Sequence, residues 1–374
     1  MGAPDDMKVL KRVVISKPPF ELSDLKKAIP PSCFKLSLLR SFYALFRDIF
    51  LICAFYYVAS NYIPRFPEPL NYIAWPLYWF FQGVMIGGLW SIGHECGHGA
   101  FGGYKWLDDT VGFFIHSALL TPYFSIKYSH RTHHAHTNSV EYDELQVPKL
   151  KSDTLHSETL NNPIGLVLRI LFHIVFGWNS YLLFNYTGRK YEGIASHFYP
   201  KSPIYNESER SLIFLSDFGI LVALYAYYNI AVATKGLIWS FYLFGAPFLV
   251  FYGLMMILTL LQHTHPSVAH YDSTEWEWMR GALSTIDRDV GILNWFIHDL
   301  PRIHVLHHLF PGIPHYHALE AMKAVKPILG DYYNYDDTPI IKAYWREMKE
   351  CVYVEPDDDH GPNKKSAGVY WFKK

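Results

Sequence analysis

The sequence predicts an all-α integral-membrane protein of about four transmembrane helices, with a cytosolic helical cap holding a histidine-lined metal site. Three observations carry that prediction. Half of the 374 residues are hydrophobic and only 18% are charged. Several nearly uncharged runs reach the ~20 residues that carry a helix across a bilayer. The 20 histidines are gathered in clusters near the polar ends of those runs.

The spans follow in order. Residues 73–92 and 237–261 contain no charge, and residues 211–233 contain only Asp217. The short link Thr234-Lys235-Gly236 makes a hairpin of the last two. Residues 42–63 enclose Arg47 and Asp48, which lie near one end where charged groups can reach the interface. Residues 164–184 contain Arg169 and His173 and are read either as a span or, in the four-crossing arrangement, as a helix lying in the interface. Aromatic residues near span ends, Trp75, Trp79, Trp90 and Trp239, fit interfacial belts.

Lys and Arg accumulate in cytosolic loops. Lys8, Lys11, Arg12, Lys17, Lys26, Lys27, Lys35 and Arg40 crowd the N-terminal arm, whereas the links between paired spans hold only Arg65 and Lys235. Those links are therefore expected in the lumen, and both termini with the long polar stretches, about 93–210 and 262–374, in the cytosol. The expected organisation is a cytosolic arm over 1–41, a membrane domain over 42–350 and a cytosolic tail over 351–374, polar enough around 356–366 to be disordered. The first 17 residues lack the apolar core of a secretory signal. Net charge is −1 with no basic stripe, which argues against nucleic acid as a partner. Cys33, Cys53, Cys96 and Cys351 form no C-x-x-C pair, so neither a disulfide framework nor a thiolate site is indicated.

The histidines carry the chemistry. His94-Glu95-Cys96-Gly97-His98 places two imidazoles at i, i+4, on one helix face. His130-Arg131-Thr132-His133-His134 and His304-Val305-Leu306-His307-His308 share the pattern H-x-x-H-H, three imidazoles expected on a single face. Imidazole suits transition metals. Eight imidazoles exceed what one tetrahedral zinc uses, so two metals are expected. A further ligand is sought among His263, His265 and His298; His263 lies where the last span ends, near the depth of His94 and His98. Glu95, Asp143, Glu144, Asp287, Asp289 and Asp299 are candidates to accept the second ring N–H of ligating histidines. Two other readings are weighed. His94-Glu95-x-x-His98 satisfies the H-E-x-x-H pattern of a zinc metalloprotease, but one zinc leaves two clusters unused. A metal transporter would place ligands mid-span rather than at span ends. His116, His156, His173, His197, His270 and His360 are read as surface or packed residues, and His298, His315 and His317 stay undecided.

The three clusters, their order and their placement resemble the membrane fatty-acid desaturases, in the delta-12 and omega-3 acyl-lipid branch. The resemblance runs from about residue 18 through the tail. It includes the residues from His94 to Phe101, from Tyr128 to His134, from Gln262 to Pro266, from Trp278 to Leu283, from Thr285 to Asp289 and from His307 to His317. It implies two non-haem irons held by His94, His98, His130, His133, His134, His304, His307 and His308, with His263, in preference to His265, as the ligand after the last span. It also implies O2 as co-substrate, a long acyl chain in an apolar tunnel as substrate, a separate cytochrome b5 as electron donor and the endoplasmic reticulum membrane as location. The tail from Tyr370 to Lys374 resembles retrieval signals of that compartment. Gln262-His263-Thr264-His265-Pro266 and the run from Thr137 to Glu141 look like delta-12 members, whereas Thr132 and the run from Phe310 to Pro314 look like omega-3 members. The expected reaction is therefore delta-12 desaturation, oleoyl to linoleoyl on a phospholipid, with omega-3 desaturation or hydroxylation as alternatives.

Overall fold

The computed structural model describes residues 12–153, 162–356 and 368–373. After a short α1 (Leu22–Ala28), the long helices α2 (Leu38–Asn61) and α3 (Leu70–His98) pair. The shorter α4 (Lys105–Ala118) and α5 (Tyr123–His136) follow, then α6 (Pro163–Phe184) and α7 (Arg210–Ala233). α8 (Leu237–Ser240) passes through a π-turn over Phe241–Gly245 into α9 (Ala246–His263). The cap adds α10 (Trp278–Leu283), α11 (Leu293–Phe296), α12 (His304–Leu309), α13 (His315–Leu329) and α14 (Ile340–Glu350).

Local chemistry explains the long elements. α3 runs through both His94 and His98 before Gly99, at φ +71°, stops it in the left-handed conformation that glycine adopts freely. Asn162 caps α6 by accepting from the Gly165 N–H at 2.9 Å. Pro247 cannot donate to the carbonyl one turn back, and the Tyr78 hydroxyl donates to that Leu243 oxygen at 2.7 Å instead, so the π-turn is tied to α3. α3 and α9 pack closely because Gly83 meets Val250 and the Pro247 carbonyl, where an added Cβ would sit 2.7–3.0 Å from them.

Among the described residues, four helices are long and apolar enough to cross a membrane: Leu38–Arg65, Pro163–Phe184, Glu207–Ala233 and Leu237–His263. The uncharged stretch 73–92, read from sequence as a span, lies inside the 29-residue α3, which is not among these four, because its tryptophans, tyrosines, glycines, Pro76 and Gln82 make it less apolar than it is uncharged. α6, read from sequence as the interfacial helix, meets the same length and composition criteria as the other three. It packs along the part of α9 nearest His263, through Ile170 and Ile174 against Ile257 and Leu260, and through Gly177 against Met256.

A three-stranded antiparallel sheet supplements the helices, in the order β1 (Ala269–Tyr271), β3 (Val369–Lys373), β2 (Tyr353–Pro356), with His270 opposite Tyr370 and Val354 opposite Phe372. The tail aromatics that resembled a retrieval signal are thus part of the cap, with Trp371 buried beside Ala269 and Tyr271. The expected disorder at 356–366 falls outside the described residues except for Pro356, which ends β2. The N-terminal arm also packs inward: Leu25, Ile29 and Cys33 share a core with Leu306, Val325 and Leu329.

Candidate metal centre

The last turns of α3, α5 and α9 and the whole of α12 meet at one depth, and each delivers histidines there. α9 ends at His263 because Thr264 turns to extended backbone. α5 ends at His136, and its free carbonyls, which every helix C-terminus leaves, are taken by indole donors: Trp278 Nε1 to His134 O and Trp276 Nε1 to Thr137 O, both at 3.0 Å. α12 starts where the Asp287 carboxylate accepts from the Val305 N–H at 2.8 Å.

The imidazoles form two groups. In the first, ring nitrogens of His94, His98, His130 and His307 lie within 4.8 Å of one another. His134 joins them, its Nε2 standing 2.8 Å from His130 Nε2 and 3.1 Å from His307 Nε2. The second contains His133, His263 and His308, and His304 joins with its Nε2 at 2.9 Å from His263 Nε2. H-x-x-H-H therefore does not present one face to one ion, as expected from spacing. Consecutive helical residues diverge by ~100°, so each cluster sends its i, i+4 pair to one group and its i+3 histidine to the other. α5 gives His130 and His134 to the first group and His133 to the second; α12 gives His304 and His308 to the second and His307 to the first.

This donor set fits metal ions. Ring nitrogens face ring nitrogens at hydrogen-bond distance with no anion between them, and His98 Nε2, His133 Nε2 and His308 Nε2 are buried without any protein partner. A buried unsatisfied nitrogen costs ~1–3 kcal/mol, and a shared cation would remove that cost for several at once. Burial, reinforced by neighbouring imidazoles, pushes His130, His134, His304 and His308 well below the usual histidine range, and His307 to about 3. Neutral imidazole is the form that binds metals.

Of the six candidate carboxylates, Asp143 reaches a clustered imidazole: its Oδ1 lies 2.5 Å from His133 Nδ1, and its Oδ2 accepts from the Asn138 N–H at 2.7 Å. The other five do not touch a clustered imidazole. Glu95, one residue round α3 from His94, accepts from the His315 backbone and Nδ1 at 2.6 and 2.8 Å. Glu144 binds Arg189 and Tyr191. Asp287 holds the backbone of α12 and the Tyr333 hydroxyl. Asp289 accepts from Gly291 and Asn294, and Asp299 pairs with Arg302. In loops, short carboxylates satisfy the nearest backbone or basic group first. One partner was missed: the Thr137 hydroxyl, 3.1 Å from His308 Nδ1, has no signal in spacing.

His265 and His298 turn away from the groups. His265 Nδ1 bonds to Ser267, and His298 Nε2 bonds to buried Asp48 at 2.7 Å. His315 pairs with Glu95, and His317 faces Glu320. His116, His173, His197 and His270 are buried outside both groups; His156 and His360 lie outside the described residues. Asp143→Asn is expected to weaken metal affinity by about 10–100-fold, because the His133 ring loses the carboxylate that orients it; metal retention against a graded chelator measures this.

An apolar cavity abuts both groups. His94 and His130 from the first, and His263 and His304 from the second, share its wall with Trp90, Trp178, Met255 and Leu258. A larger apolar cavity of about 520 Å³ between α3, α9, α11 and α14 adjoins it, with Met255, Leu258 and Leu300 in the walls of both. On another side, His98 and His134 border a cavity of about 250 Å³ with Lys127 and Arg131.

Residues 73–339 match the fatty acid desaturase family. The chain belongs to that family. It is 60% identical to a delta(9) fatty acid conjugase-like enzyme of Dimorphotheca sinuata, with 100% of this chain and 99% of that one aligned. It is 58% identical to a fatty acid conjugase of Calendula officinalis, over 98% and 97%. A delta(12) fatty-acid desaturase of Arabidopsis thaliana is 54% identical over 97% and 94%. This desaturase-family chain is thus an oxidoreductase, which removes the metalloprotease and transporter readings.

Proposed function

We propose that the two histidine groups hold two iron ions and that the chain oxidises a fatty-acyl chain of a membrane lipid to one with conjugated double bonds. The observation that carries the acyl-oxidase reading is the apolar cavity whose wall includes imidazoles of both groups. Bound iron with O2 supplies the oxidising power that side chains lack for taking hydrogen from a methylene. The balance per double bond is one O2, two electrons, two protons and two substrate hydrogens, giving two waters. Trp90, Trp178, Met255 and Leu258 hold the chain and exclude water. His133, fixed by Asp143, and His308, beside Thr137, keep their rings oriented.

Identity favours conjugation, at 60% and 58% against 54% for the delta-12 relative. In a conjugase the hydrogens come from methylenes flanking an existing double bond. Delta-12 desaturation is the second reading, supported by the sequence around His263. Expression in yeast fed oleate or linoleate separately decides: conjugated products with ultraviolet absorbance, separated by gas chromatography, are expected. Linoleate formed from oleate with no conjugated product would replace the first reading by the second.

The electron donor in this reading is a separate cytochrome b5, and the location is the endoplasmic reticulum with the histidines facing the cytosol. Charge asymmetry supports that orientation. A glycosylation acceptor inserted beside Arg65 is expected to be modified and one after Asp331 to stay bare; the opposite pattern would place the histidines in the lumen.

A further inference from the structure

Beside α6 lies a second polar cavity, of about 170 Å³, that the metal centre does not use. Lys149, Arg169, His173, Tyr186 and Thr187 are among its wall. Three of these residues carry buried polar atoms without a partner: Arg169 Nε, Thr187 Oγ1 and His173 Nε2. His173 Nδ1 meets the Tyr344 hydroxyl at 2.8 Å, which leaves its other nitrogen unsatisfied. Among the described residues no carboxylate pairs with Arg169 or Lys149. Glu347 reaches the same wall, but Arg288 at 2.8 Å and Arg346 at 2.7 Å already hold it.

Two cations, a threonine hydroxyl and an imidazole without anionic partners around one cavity have the composition of an anion site. Its surroundings indicate which anion. Arg169 stands on α6 next to Val167 and Leu168, both exposed on a helix apolar enough to face lipid. Tyr186, just past the end of α6, gives the apolar body and polar tip of a membrane-interface residue. The wall is also thin toward the metal centre: Gln146 lines this cavity, Leu145 and Thr259 line the acyl cavity, and Gln146 Nε2 bonds Thr259 Oγ1 at 3.1 Å.

We propose that the Arg169–Lys149 cavity binds the phosphodiester of the phospholipid that carries the acyl chain. This rests on the acyl-lipid reading above, but not on which double bond is formed. The shared chemistry is a phosphate group, and the source proposed is the lipid.

The test uses the full-length protein in detergent micelles and counts retained lipid by native mass spectrometry. The probes are dioleoylphosphatidylcholine, dioleoylglycerol with the same acyl chains but no phosphate, and inorganic phosphate as competitor. R169Q/K149Q is expected to lower phosphatidylcholine retention about tenfold, the loss of charge-assisted hydrogen bonds to one phosphate, while leaving dioleoylglycerol retention unchanged. R169K should restore most of the binding. The exposed K149Q, which leaves the interior intact, should give a partial loss even where the double variant misfolds. Equal retention by wild type and K149Q, an equal loss of both lipids, or displacement by equimolar inorganic phosphate would overturn the proposal. The readout needs no turnover, so a wrong product in feeding leaves this result standing, and a negative binding result leaves the product assignment standing.

Discussion

His307→Ala is expected to lower turnover at least ~100-fold, beyond the loss seen when only an outer partner of a ligand is removed, and to bring iron from about two per chain towards one. The geometry makes the direction specific. His307 Nε2 is 3.1 Å from both His94 Nε2 and His134 Nε2, at the centre of the first group, so its loss dismantles that group. The second group, built on His133, His263, His304 and His308, keeps its own donors. His133→Ala should do the converse. His317→Gln, which alters a histidine facing Glu320 outside both groups, should leave iron and turnover unchanged. Elemental analysis and product chromatography on the same preparations check all three. One zinc per chain, or full activity of His307→Ala, would sink the two-iron assignment.

Arg288→Met is expected to cost about 3–5 kcal/mol, the usual penalty for removing one member of a buried ionic network. Arg288 is among the largest fully buried side chains. Its guanidinium donates to the Leu261 carbonyl at 2.9 Å, to Asp336 at 2.5 Å and to Glu347 at 2.8 Å, and its backbone N–H donates to Pro301 at 2.7 Å. It thereby ties the end of α9, which carries His263, to α14 and to the approach to α12. Methionine fills most of the volume but leaves Asp336 and Glu347 to share Arg346. The melting transition, followed by tryptophan fluorescence, should fall by on the order of 10 °C, given a few degrees per kcal/mol for a chain of this size. Lysine cannot make three divergent contacts, so Arg288→Lys should recover only part. An unchanged melting point for Arg288→Met would show that the network is not what joins these segments.

Much of this was legible in the residues. Uncharged runs located the long helices, since a bilayer-length apolar stretch has few alternatives to a helix. All nine clustered histidines were named from spacing and from the position of His263 at a span end. The choice among His263, His265 and His298 could only be narrowed, because two residues of separation at a helix terminus send side chains to different sides. There His265 is drawn off by Ser267 and His298 by Asp48.

The sequence by itself determined where the long apolar helices lie and which imidazoles gather, because each depends on local composition and on helical period. Tertiary structure alone decided how the imidazoles divide between two groups, why Asp143 but not Glu144 orients a ring, and that the tail closes a sheet over the cap. Those outcomes depend on where helices end relative to one another and on which donor lies nearest a carboxylate. Such distances are set by packing between segments as far apart as His94 and His307, and no local pattern encodes them.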